Sequence, residues 1–476
     1  MDISLILNLI FLFNILFAIV VVFFERRNPT AAMAWLMVLV FLPPIGFALY
    51  LIFGQNYTRQ RLFTLKEKDD LALWKYFEEQ HRSMVDGRYR LSTPAAEAYR
   101  STIFTLLRNN RALLTQGNQV SICTDGREKF DALFEAIRSA RHHIHLEYFI
   151  INNDALGREI IAALAEKARE GVEVRLLFDA MGTRAGGGSE KAFHELTDAG
   201  GRIGVFFPSY VRVNYRNHRK IAVIDGTVGF IGGFNIGDEY LGTGPLGYWR
   251  DTALQIRGQA VNLLQLRFCL DWNFTTGEYP EFNQAYFPEM HGEGGTPIQI
   301  VAGGPDTRWN PIKEGYLKLI TSARESVYLQ SPYFIPDESV TDALRLAALS
   351  GVDVRVMIPC KPDHPFVYWA SLSFAADLLD AGVRVYTYDN GFIHAKTIVV
   401  DGTAGSVGSA NWDVRSFRLN FEANAFFYDT AVAGDLRRRF EGDLAHCTEI
   451  TPKAYADRPR WIRIKESISR LFSPLG

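Results

Sequence analysis

The chain has 476 residues, of which 48% are hydrophobic and 22% charged, and its formal net charge is −2. This composition excludes a disordered chain, and the near-neutral charge argues against a protein built mainly to hold nucleic acid, which normally carries a basic surplus. The four cysteines are scattered, which favours free thiols over a disulfide framework or a zinc site.

The first 55 residues differ from the rest because they are almost uniformly apolar. Residues 3–24 carry no charge and are long enough to cross a bilayer, which takes about 20 residues. A short charged segment, residues 25–27, separates them from a second apolar run that continues to Phe53. A signal peptide would have a basic start and a shorter apolar core. We therefore predict a transmembrane helical hairpin at residues 1–55 that stays in the mature protein.

The segment after the hairpin, residues 56–115, is charged and helix-like. We interpret it as a juxtamembrane helical linker between the membrane and the first half of the large domain. It begins with more basic residues than the loop of the hairpin contains, namely Arg59, Arg61, Lys66 and Lys68. Because the cytoplasmic flanks of membrane spans carry an excess of Lys and Arg, we predict that the large domain is cytoplasmic.

The remaining chain contains the same order of predicted strands and helices twice. An alternating strand ending in Tyr-Phe-Ile, an amphipathic helix stopped by Gly, and a Val-rich strand occur within 143–180 and again within 326–360. Turn-rich sequence at 291–306 marks the seam between the copies. This order predicts an α/β fold with a central sheet in each half, at residues 116–295 and 296–450.

The last segment, residues 451–476, has the pattern of an amphipathic helix. Its apolar residues, Trp461, Ile464, Ile468, Leu471 and Phe472, fall near one face, with basic residues elsewhere. A packed terminal helix and a helix lying in the membrane interface both fit this pattern.

Each half contains His-x-Lys, four residues, Asp-Gly, and then a run of small residues ending in Asn. The motif residues are His218, Lys220 and Asp225 in the first half and His394, Lys396 and Asp401 in the second. Alternate residues of a strand share a face, so the His and Lys of each motif point the same way. The Asp has the opposite parity and precedes a Gly, which suggests that it holds the turn. We count all six as candidate catalytic residues.

Two His and two Lys that converge on one point suit the chemistry of a phosphodiester. The lysines neutralise the phosphate oxygens, while one neutral imidazole attacks phosphorus and the other, protonated, donates to the leaving alkoxide. Asn235, Asn411 and Ser409, in the small-residue runs, are candidate ligands of the phosphate. This chemistry requires neither a metal nor another cofactor, and the sequence carries no P-loop and no His-Glu-x-x-His motif.

A nucleophilic histidine also needs its other ring nitrogen held in place. Asp251 and Glu422 lie on strand-like runs downstream of the two motifs, at comparable distances from them. We predict that Asp251 orients His218 and that Glu422 orients His394. Surface carboxylates on edge strands are the alternative interpretation.

Two further histidine features stand outside the motifs. His142, His143 and His145 form a short tract, but no Cys or paired acidic residues stand near it, so metal binding is not favoured. His364 lies in a loop that should reach the mouth of the site, where contact with a lipid headgroup and a simple turn role are both open.

The paired motifs resemble those of the phospholipase D superfamily, and within it the chain is similar to membrane-anchored bacterial cardiolipin synthases. The similarity covers essentially the whole chain, from "ERRNPTAAMAWLMVLVFLPPIGF" through "RNHRKIAVIDG" and "GFIHAKTIVVDG" to "RLFSPL". It implies two duplicated phospholipase D-like α/β/α domains that form one pseudo-twofold active site. It also implies a location in the bacterial cell membrane with two spans.

The resemblance further implies a reaction in which two phosphatidylglycerol molecules become cardiolipin and glycerol through a phosphohistidine intermediate. His218 would carry the phosphatidyl group, and His394 would act as the acid and then as the base. The symmetry of the chain alone leaves that order open. The expected partners are phosphatidylglycerol and cardiolipin in the membrane, without nucleic acid.

Several alternatives use the same residues. A phospholipase D that hydrolyses phospholipids to phosphatidic acid differs only in its acceptor, and a membrane anchor favours lipid hydroxyls over water. Phosphatidylserine synthesis needs a nucleotide-activated lipid, which no sequence feature demands. A nuclease should line a groove with basic and stacking side chains, whereas Phe and Tyr here lie mostly in apolar runs. A scaffold without activity is disfavoured because both motifs are intact.

Overall fold

The computed structural model describes residues 71–473, with gaps at 189, 208–213, 279–283, 291 and 293, and before them only residues 12, 16, 29–42 and 45–46. Most of the predicted hairpin therefore lies outside the described residues. Of its second run, an uncharged helix from Pro29 to Phe41 is described. Within the described part of the chain, no helix combines the length and the apolar character that crossing a bilayer requires.

The described strands are, in chain order, β1 (Leu114–Cys123), β2 (His143–Tyr148), β3 (Glu173–Asp179), β4 (Arg202–Phe206), β5 (Ile221–Ile224), β6 (Val228–Gly232), β7 (Trp249–Arg250), β8 (Ala253–Arg257), β9 (Thr296–Gly303), β10 (Ser326–Gln330), β11 (Phe334–Ile335), β12 (Asp353–Pro359), β13 (Arg384–Tyr388), β14 (Phe392–Ile393), β15 (Thr397–Val400), β16 (Ala404–Gly408), β17 (Trp412–Asp413), β18 (Glu422–Phe427) and β19 (Cys447–Ile450).

The described α-helices are α1 (Pro29–Phe41), α2 (Leu71–Val85), α3 (Pro94–Ala98), α4 (Arg100–Asn110), α5 (Gly126–Ser139), α6 (Ala155–Arg169), α7 (Ala180–Ala185), α8 (His194–Asp198), α9 (Ala260–Thr276), α10 (Pro311–Ser322), α11 (Glu338–Leu349), α12 (Pro365–Ala376), α13 (Val414–Arg418), α14 (Thr430–Asp443), α15 (Pro452–Ala456) and α16 (Arg460–Phe472).

One sheet runs through both halves of the molecule. Its order is β19-β13-β12-β10-β15-β16-β18-β9-β1-β8-β6-β5-β2-β3-β4. Apart from β19, the two directions outward from the central β9 and β1 repeat the same sequence of strands, as expected for a duplicated unit. The outer strands β2, β3 and β4 are parallel, as are β10, β12 and β13. At the centre, β1 and β9 pair antiparallel, so the two halves are joined by backbone hydrogen bonds.

The crossover helices of the two halves form for the same local reasons. Asp154 caps the first turn of α6 and Asp337 that of α11, each accepting a hydrogen bond from a backbone amide of the helix. Gly171 and Gly351, at φ +89° and +92°, follow the two helices in the left-handed conformation that lets the chain turn back into a strand. The apolar side of α6 is buried against the sheet through Leu156, Ile160, Ile161 and Leu164. The predicted order of strand, helix and strand in each half is thus confirmed.

The end of the predicted linker packs against the second half of the molecule. Ile103 and Leu106 of α4 belong to the same core as Tyr316 and Leu319 of α10, in the second half. The side-chain amide of Asn109 also donates to Glu314 of α10, at 2.5 Å. The apolar face of α4 thus packs on a helix that lies beyond the seam in the chain.

The C-terminal helix α16 packs through its polar side. Glu466 and Ser469 are buried, and Glu466 accepts hydrogen bonds from Arg458 and Tyr455. The apolar residues Trp461, Ile464, Ile468 and Leu471 are instead between 46% and 73% exposed. The helix therefore exposes the apolar face that a terminal helix of a soluble domain would normally bury.

Candidate active site

Each His-x-Lys motif lies just ahead of a short central strand and is attached to the other half. The backbone amide of His218 donates to the carbonyl of Phe421 at 2.9 Å, and that of His394 donates to the carbonyl of Arg250 at 2.7 Å. Asn217 also forms an isolated bridge with Phe421. The chain ahead of each strand thus crosses the pseudo-twofold axis, which brings the two motifs together.

Each motif histidine is held by a carboxylate from the opposite half. Nδ1 of His218 lies 2.9 Å from Oε2 of Glu422, and Nδ1 of His394 lies 2.6 Å from Oδ2 of Asp251. Our prediction paired Asp251 with His218 and Glu422 with His394, and it was wrong. Because the motifs cross the axis, each histidine reaches the carboxylate of the opposite half. Both carboxylate contacts are made by Nδ1, so they do not engage Nε2 of either ring.

Both imidazoles are neutral near pH 7. Burial is the main reason that the pKa of His218 falls to about 4, with Glu422 opposing the shift and Lys220 adding to it. Burial and then Lys396 lower the pKa of His394 to about 4, against the opposing effect of Asp251. A neutral imidazole is the form that can attack phosphorus.

The lysines complete a single cluster. Burial lowers the pKa of Lys396 to about 8 and holds that of Lys220 well below its ordinary value. Each lysine also lowers the pKa of the histidine in the opposite half, so the four groups share one site. Nζ of Lys220 donates to the carbonyl of His218 at 2.6 Å, and Nζ of Lys396 lies 2.9 Å from Nδ1 of His394. Two lysines beside two imidazoles suit an anionic diester.

The motif aspartates hold turns and do not reach the cluster. The carboxylate of Asp225 accepts from the backbone amides of Arg141, His142 and His143 at 2.8–2.9 Å. Asp401 does the same with residues 324–326. Both aspartates have a φ of 53° and precede a glycine in the hairpin turn. This geometry matches the parity of the strand and removes both from the list of reacting groups.

The three candidate phosphate ligands differ in their hydrogen-bond partners. Ser409 is buried and donates to Oε2 of Glu422 at 2.5 Å, so it holds a carboxylate instead of facing the phosphate. Asn235 donates to the hydroxyl of Tyr240 at 3.1 Å. Oδ1 of Asn411 is buried without a hydrogen-bond partner within the described structure. Of the three, Asn411 keeps the clearest capacity to bind a ligand.

Several residues around the cluster carried no signal that we recognised in the sequence. The hydroxyl of Tyr240 lies 3.3 Å from Nδ1 of His394. Two arginines fix the backbone of the orienting carboxylates: Nε of Arg219 donates to the carbonyl of Glu422 at 3.1 Å, and Arg250 donates to that of Asp251 at 2.6 Å.

Both arginines pair with an aspartate on the helix that follows the sheet strands of one half, Arg219 in its own half and Arg250 in the opposite half. Arg219 contacts Asp271 of α9 at 2.5 Å, and Arg250 contacts Asp443 of α14 at 2.8 Å. The aspartate recurs at matching places in the two halves, which is the signal that could have revealed the arrangement.

The remaining histidines have other surroundings. His145 lies between Glu173 and Gln265, at 3.1 and 2.8 Å, and His143 contacts the same glutamine. No group of three or more potential metal ligands is found among the described residues. His364 is exposed at the start of α12, with its ring 6.3 Å from that of Tyr333.

Comparisons with known proteins agree with this site. A family model described as "Cardiolipin synthase, PLD-like domain" matches residues 133–244 and 316–444, and one described as "Phospholipase_D-nuclease N-terminal" matches residues 6–55. The chain is 50% identical to the major cardiolipin synthase ClsA of Bacillus subtilis, with 99% of each chain covered. It is 48% identical to a cardiolipin synthase of Listeria monocytogenes, covering 98% of each.

Among solved structures, the chain is similar to phosphatidylserine synthase of Haemophilus influenzae, with a TM-score of 0.60 and 14% sequence identity. The alignment covers 79% of this chain and 98% of that one. At this identity the likeness shows a shared fold and nothing about the substrate.

Proposed function

Since the chain belongs to the bacterial cardiolipin synthases, phosphatidyltransferases of the phospholipase D superfamily, we propose that it transfers a phosphatidyl group between two phosphatidylglycerol molecules. The products are cardiolipin and glycerol. The observation that carries this proposal is the crossed arrangement of two carboxylate-held histidines and two lysines in one buried cluster.

The first step forms the covalent intermediate. Nε2 of His218 attacks the phosphorus of one phosphatidylglycerol, and the bond between phosphorus and the headgroup glycerol oxygen breaks. His394, protonated in the substrate complex, gives its proton to the departing glycerol. Lys220 and Lys396 neutralise the charge that builds up on the phosphate oxygens. We assign the attack to His218 because the family resemblance implies it.

The second step consumes the intermediate. His394, now neutral, accepts the proton of a glycerol hydroxyl on a second phosphatidylglycerol. That oxygen attacks phosphorus, the bond to Nε2 of His218 breaks, and cardiolipin leaves. Each step exchanges one phosphoryl bond for another of similar energy, so the reaction is reversible and needs no nucleotide.

In this proposal the diester binds before His394 is protonated, and the pKa values of the cluster support that order. With both imidazoles neutral and a lysine beside each, the empty site disfavours an additional proton. An anionic diester placed between the lysines offsets their charge and raises the pKa of His394. The acid of the first step therefore forms only when a diester is bound.

The site lies at a membrane in this proposal. The match at residues 6–55 and the uncharged apolar run at 3–24 support a two-span hairpin that anchors the enzyme, with the catalytic halves on the cytoplasmic side. The exposed apolar face of α16 supports a second contact, in which this helix lies in the membrane interface. Phe366 of the adjoining α12 is also 65% exposed and extends that face.

The interfacial role of α16 can be tested with paired variants. Trp461→Ser combined with Leu471→Ser should lower activity on phosphatidylglycerol vesicles about tenfold or more, because it removes buried apolar area from the interface. Activity on monomeric short-chain phosphatidylglycerol should not change. Leu349→Ser, on an exposed position of α11, is the control. Equal losses on both substrates would show that α16 acts only in folding.

The function itself is tested by product analysis. Purified full-length protein in detergent micelles, incubated with phosphatidylglycerol labelled in its headgroup glycerol, should release labelled glycerol and form cardiolipin in equal amounts. His218→Ala protein is the control and should form neither. Phosphatidic acid without cardiolipin would favour a hydrolytic phospholipase D instead.

A further inference from the structure

A cavity of about 270 Å³ opens beside the junction of the two halves. It lies between the end of α4, the end of β9 and helix α9. Its lining contains five arginines, Arg108, Arg111, Arg219, Arg267 and Arg308. The histidines and lysines of the two motifs are not among its lining residues, so this cavity is separate from the phosphodiester site, although Arg219 stands between His218 and Lys220 in the chain.

Positive charge exceeds negative charge around the cavity. The carboxyl groups in or beside the lining include Asp306, Asp271 and Glu147 near Arg219 and Arg267, and Glu314 beside Asn109. Five guanidinium groups against these four carboxyl groups leave a surplus of positive charge, which a bound anion would balance.

The walls of the cavity are held by hydrogen bonds. The side chain of Asn110 donates to the carbonyl of Ala302 at 2.8 Å and accepts from its amide at 3.1 Å. The hydroxyl of Thr307 lies 2.7 and 2.8 Å from the carbonyl oxygens of Gly304 and Trp309 and donates to one of them, which holds the facing loop. The cavity therefore keeps its shape before any ligand arrives, which lowers the cost of binding.

Arg219 connects the cavity to the nucleophile. It follows His218 directly in the chain, just ahead of β5, and its guanidinium contacts Asp271 whereas the ring of His218 contacts Glu422. Arg219 is almost fully buried, and its Nε donates to the carbonyl of Glu422, whose carboxylate holds Nδ1 of His218. An anion that contacts Arg219 thus acts on the residue that orients His218.

We propose that this cavity is a second anion site, which takes one phosphate-bearing headgroup and modulates the first chemical step. Arginine binds phosphate oxygens with paired, charge-assisted hydrogen bonds, and several guanidinium groups surround the space. The volume is near the lower end of ordinary ligand pockets, about 300 Å³, which suits a single headgroup. The headgroup belongs either to a membrane lipid or to a soluble phosphate ester.

The binding test uses a variant that leaves the catalytic cluster intact. Arg108→Gln combined with Arg308→Gln removes two exposed cavity arginines, and Arg345→Gln combined with Arg438→Gln removes two exposed arginines elsewhere. Calorimetric titration of the full chain in detergent with inorganic phosphate should show one binding event weakened about tenfold in the cavity variant. The control should titrate like the wild type. Equal titrations of all three proteins would overturn the proposal.

The two sources of the headgroup are separated by turnover. The rate of glycerol release is measured in micelles of fixed phosphatidylglycerol content, with phosphatidic acid added to the micelles or glycerol 3-phosphate added to the buffer. A response to phosphatidic acid alone identifies a lipid, and a response to glycerol 3-phosphate alone identifies a soluble ester. Either response should be absent from the cavity variant, whose rate without additions should stay within about twofold of the wild type. A response retained by the variant contradicts the proposal.

Discussion

The two halves carry the same His-x-Lys motif but hold their histidines with carboxylates of different length. The histidine of the second half is held by Asp251, and that of the first half by Glu422, which is one methylene longer. The surroundings differ accordingly. Glu422 also accepts from Ser409 and Asn420, whereas Tyr240 and Lys396 approach His394. A duplicated chain has thus become an asymmetric site.

The small-residue runs show how this asymmetry is accommodated. At Gly233 an added Cβ would lie 2.1 Å from Oδ1 of Asp251, so only glycine leaves room for the shorter carboxylate. The matching position in the second half is Ser409, whose hydroxyl donates to Glu422. The same motif position is thus a glycine that leaves room for a carboxylate in one half and a hydrogen-bond donor in the other.

Replacing the histidines should separate their roles. His218→Ala removes the nucleophile and His394→Ala removes the acid and base, so each should lower turnover about 10⁴-fold or more. Acid-quenched reactions with labelled phosphatidylglycerol measure the covalent adduct. His218→Ala protein should form none, whereas His394→Ala protein should accumulate a small stable fraction. The opposite pattern would reverse the assignment.

Replacing the carboxylates tests the exchange between halves. Glu422→Gln and Asp251→Asn keep the hydrogen-bonding shape but lose the charge, and each should lower kcat about 10- to 100-fold. Glu422→Gln should slow formation of the adduct, because it acts on His218. Asp251→Asn should slow its breakdown more, because it acts on His394. Rapid-quench measurements distinguish the two steps, and the reverse assignment of steps would refute the crossed pairing.

The pH dependence of kcat/KM should reveal the loss of the ammonium proton of Lys396. Its pKa of about 8 means that the ammonium group loses its proton as pH rises through that value. The charge on the phosphate is then no longer neutralised, so kcat/KM should fall about tenfold for each pH unit above 8. Lys396→Arg should shift this decline upward, because guanidinium keeps its proton. An unchanged alkaline limb in that variant would assign the decline to another group.

Substitutions at Gly233 and at Ser409 should lower kcat by different factors. Gly233→Ala should lower kcat about tenfold. The added Cβ would overlap the carboxylate of Asp251, so either that carboxylate or the backbone at residue 233 must move. Ser409→Ala only removes one donor to Glu422 and should lower kcat about threefold. Circular dichroism of both variants checks that each protein folds. Equal losses from the two substitutions would argue against the difference between the halves.

The motif aspartates should affect stability more than chemistry. Asp225→Asn and Asp401→Asn each weaken three hydrogen bonds to backbone amides, so each should lower the free energy of unfolding by about 1–3 kcal/mol. Because the carboxylates do not reach the cluster, kcat of the folded variants should stay within about threefold of the wild type. Denaturant titration measures the first quantity and initial rates the second. A large loss of kcat in a stable variant would place the aspartate in catalysis.

Local patterns in the chain predicted much of the fold. Periodicity and Gly stops placed the strands and crossover helices of both halves, and repetition of the motif revealed the duplication. The parity of Asp225 relative to His218 indicated which side chain turns away from the site. These features depend on a few neighbouring residues and on the alternation of a strand, so they can be read along the chain.

The histidine and lysine pairs of the two motifs, and the elements that carry them, could therefore be identified along the chain. Contacts between distant residues established that Glu422 holds His218 and Asp251 holds His394, that α4 packs on the second half, and that α16 turns its polar side inward. The physical reason is that two halves with similar spacings allow either pairing along the chain. The choice arises where β1 meets β9 and the motifs cross the axis, through contacts between residues more than a hundred positions apart.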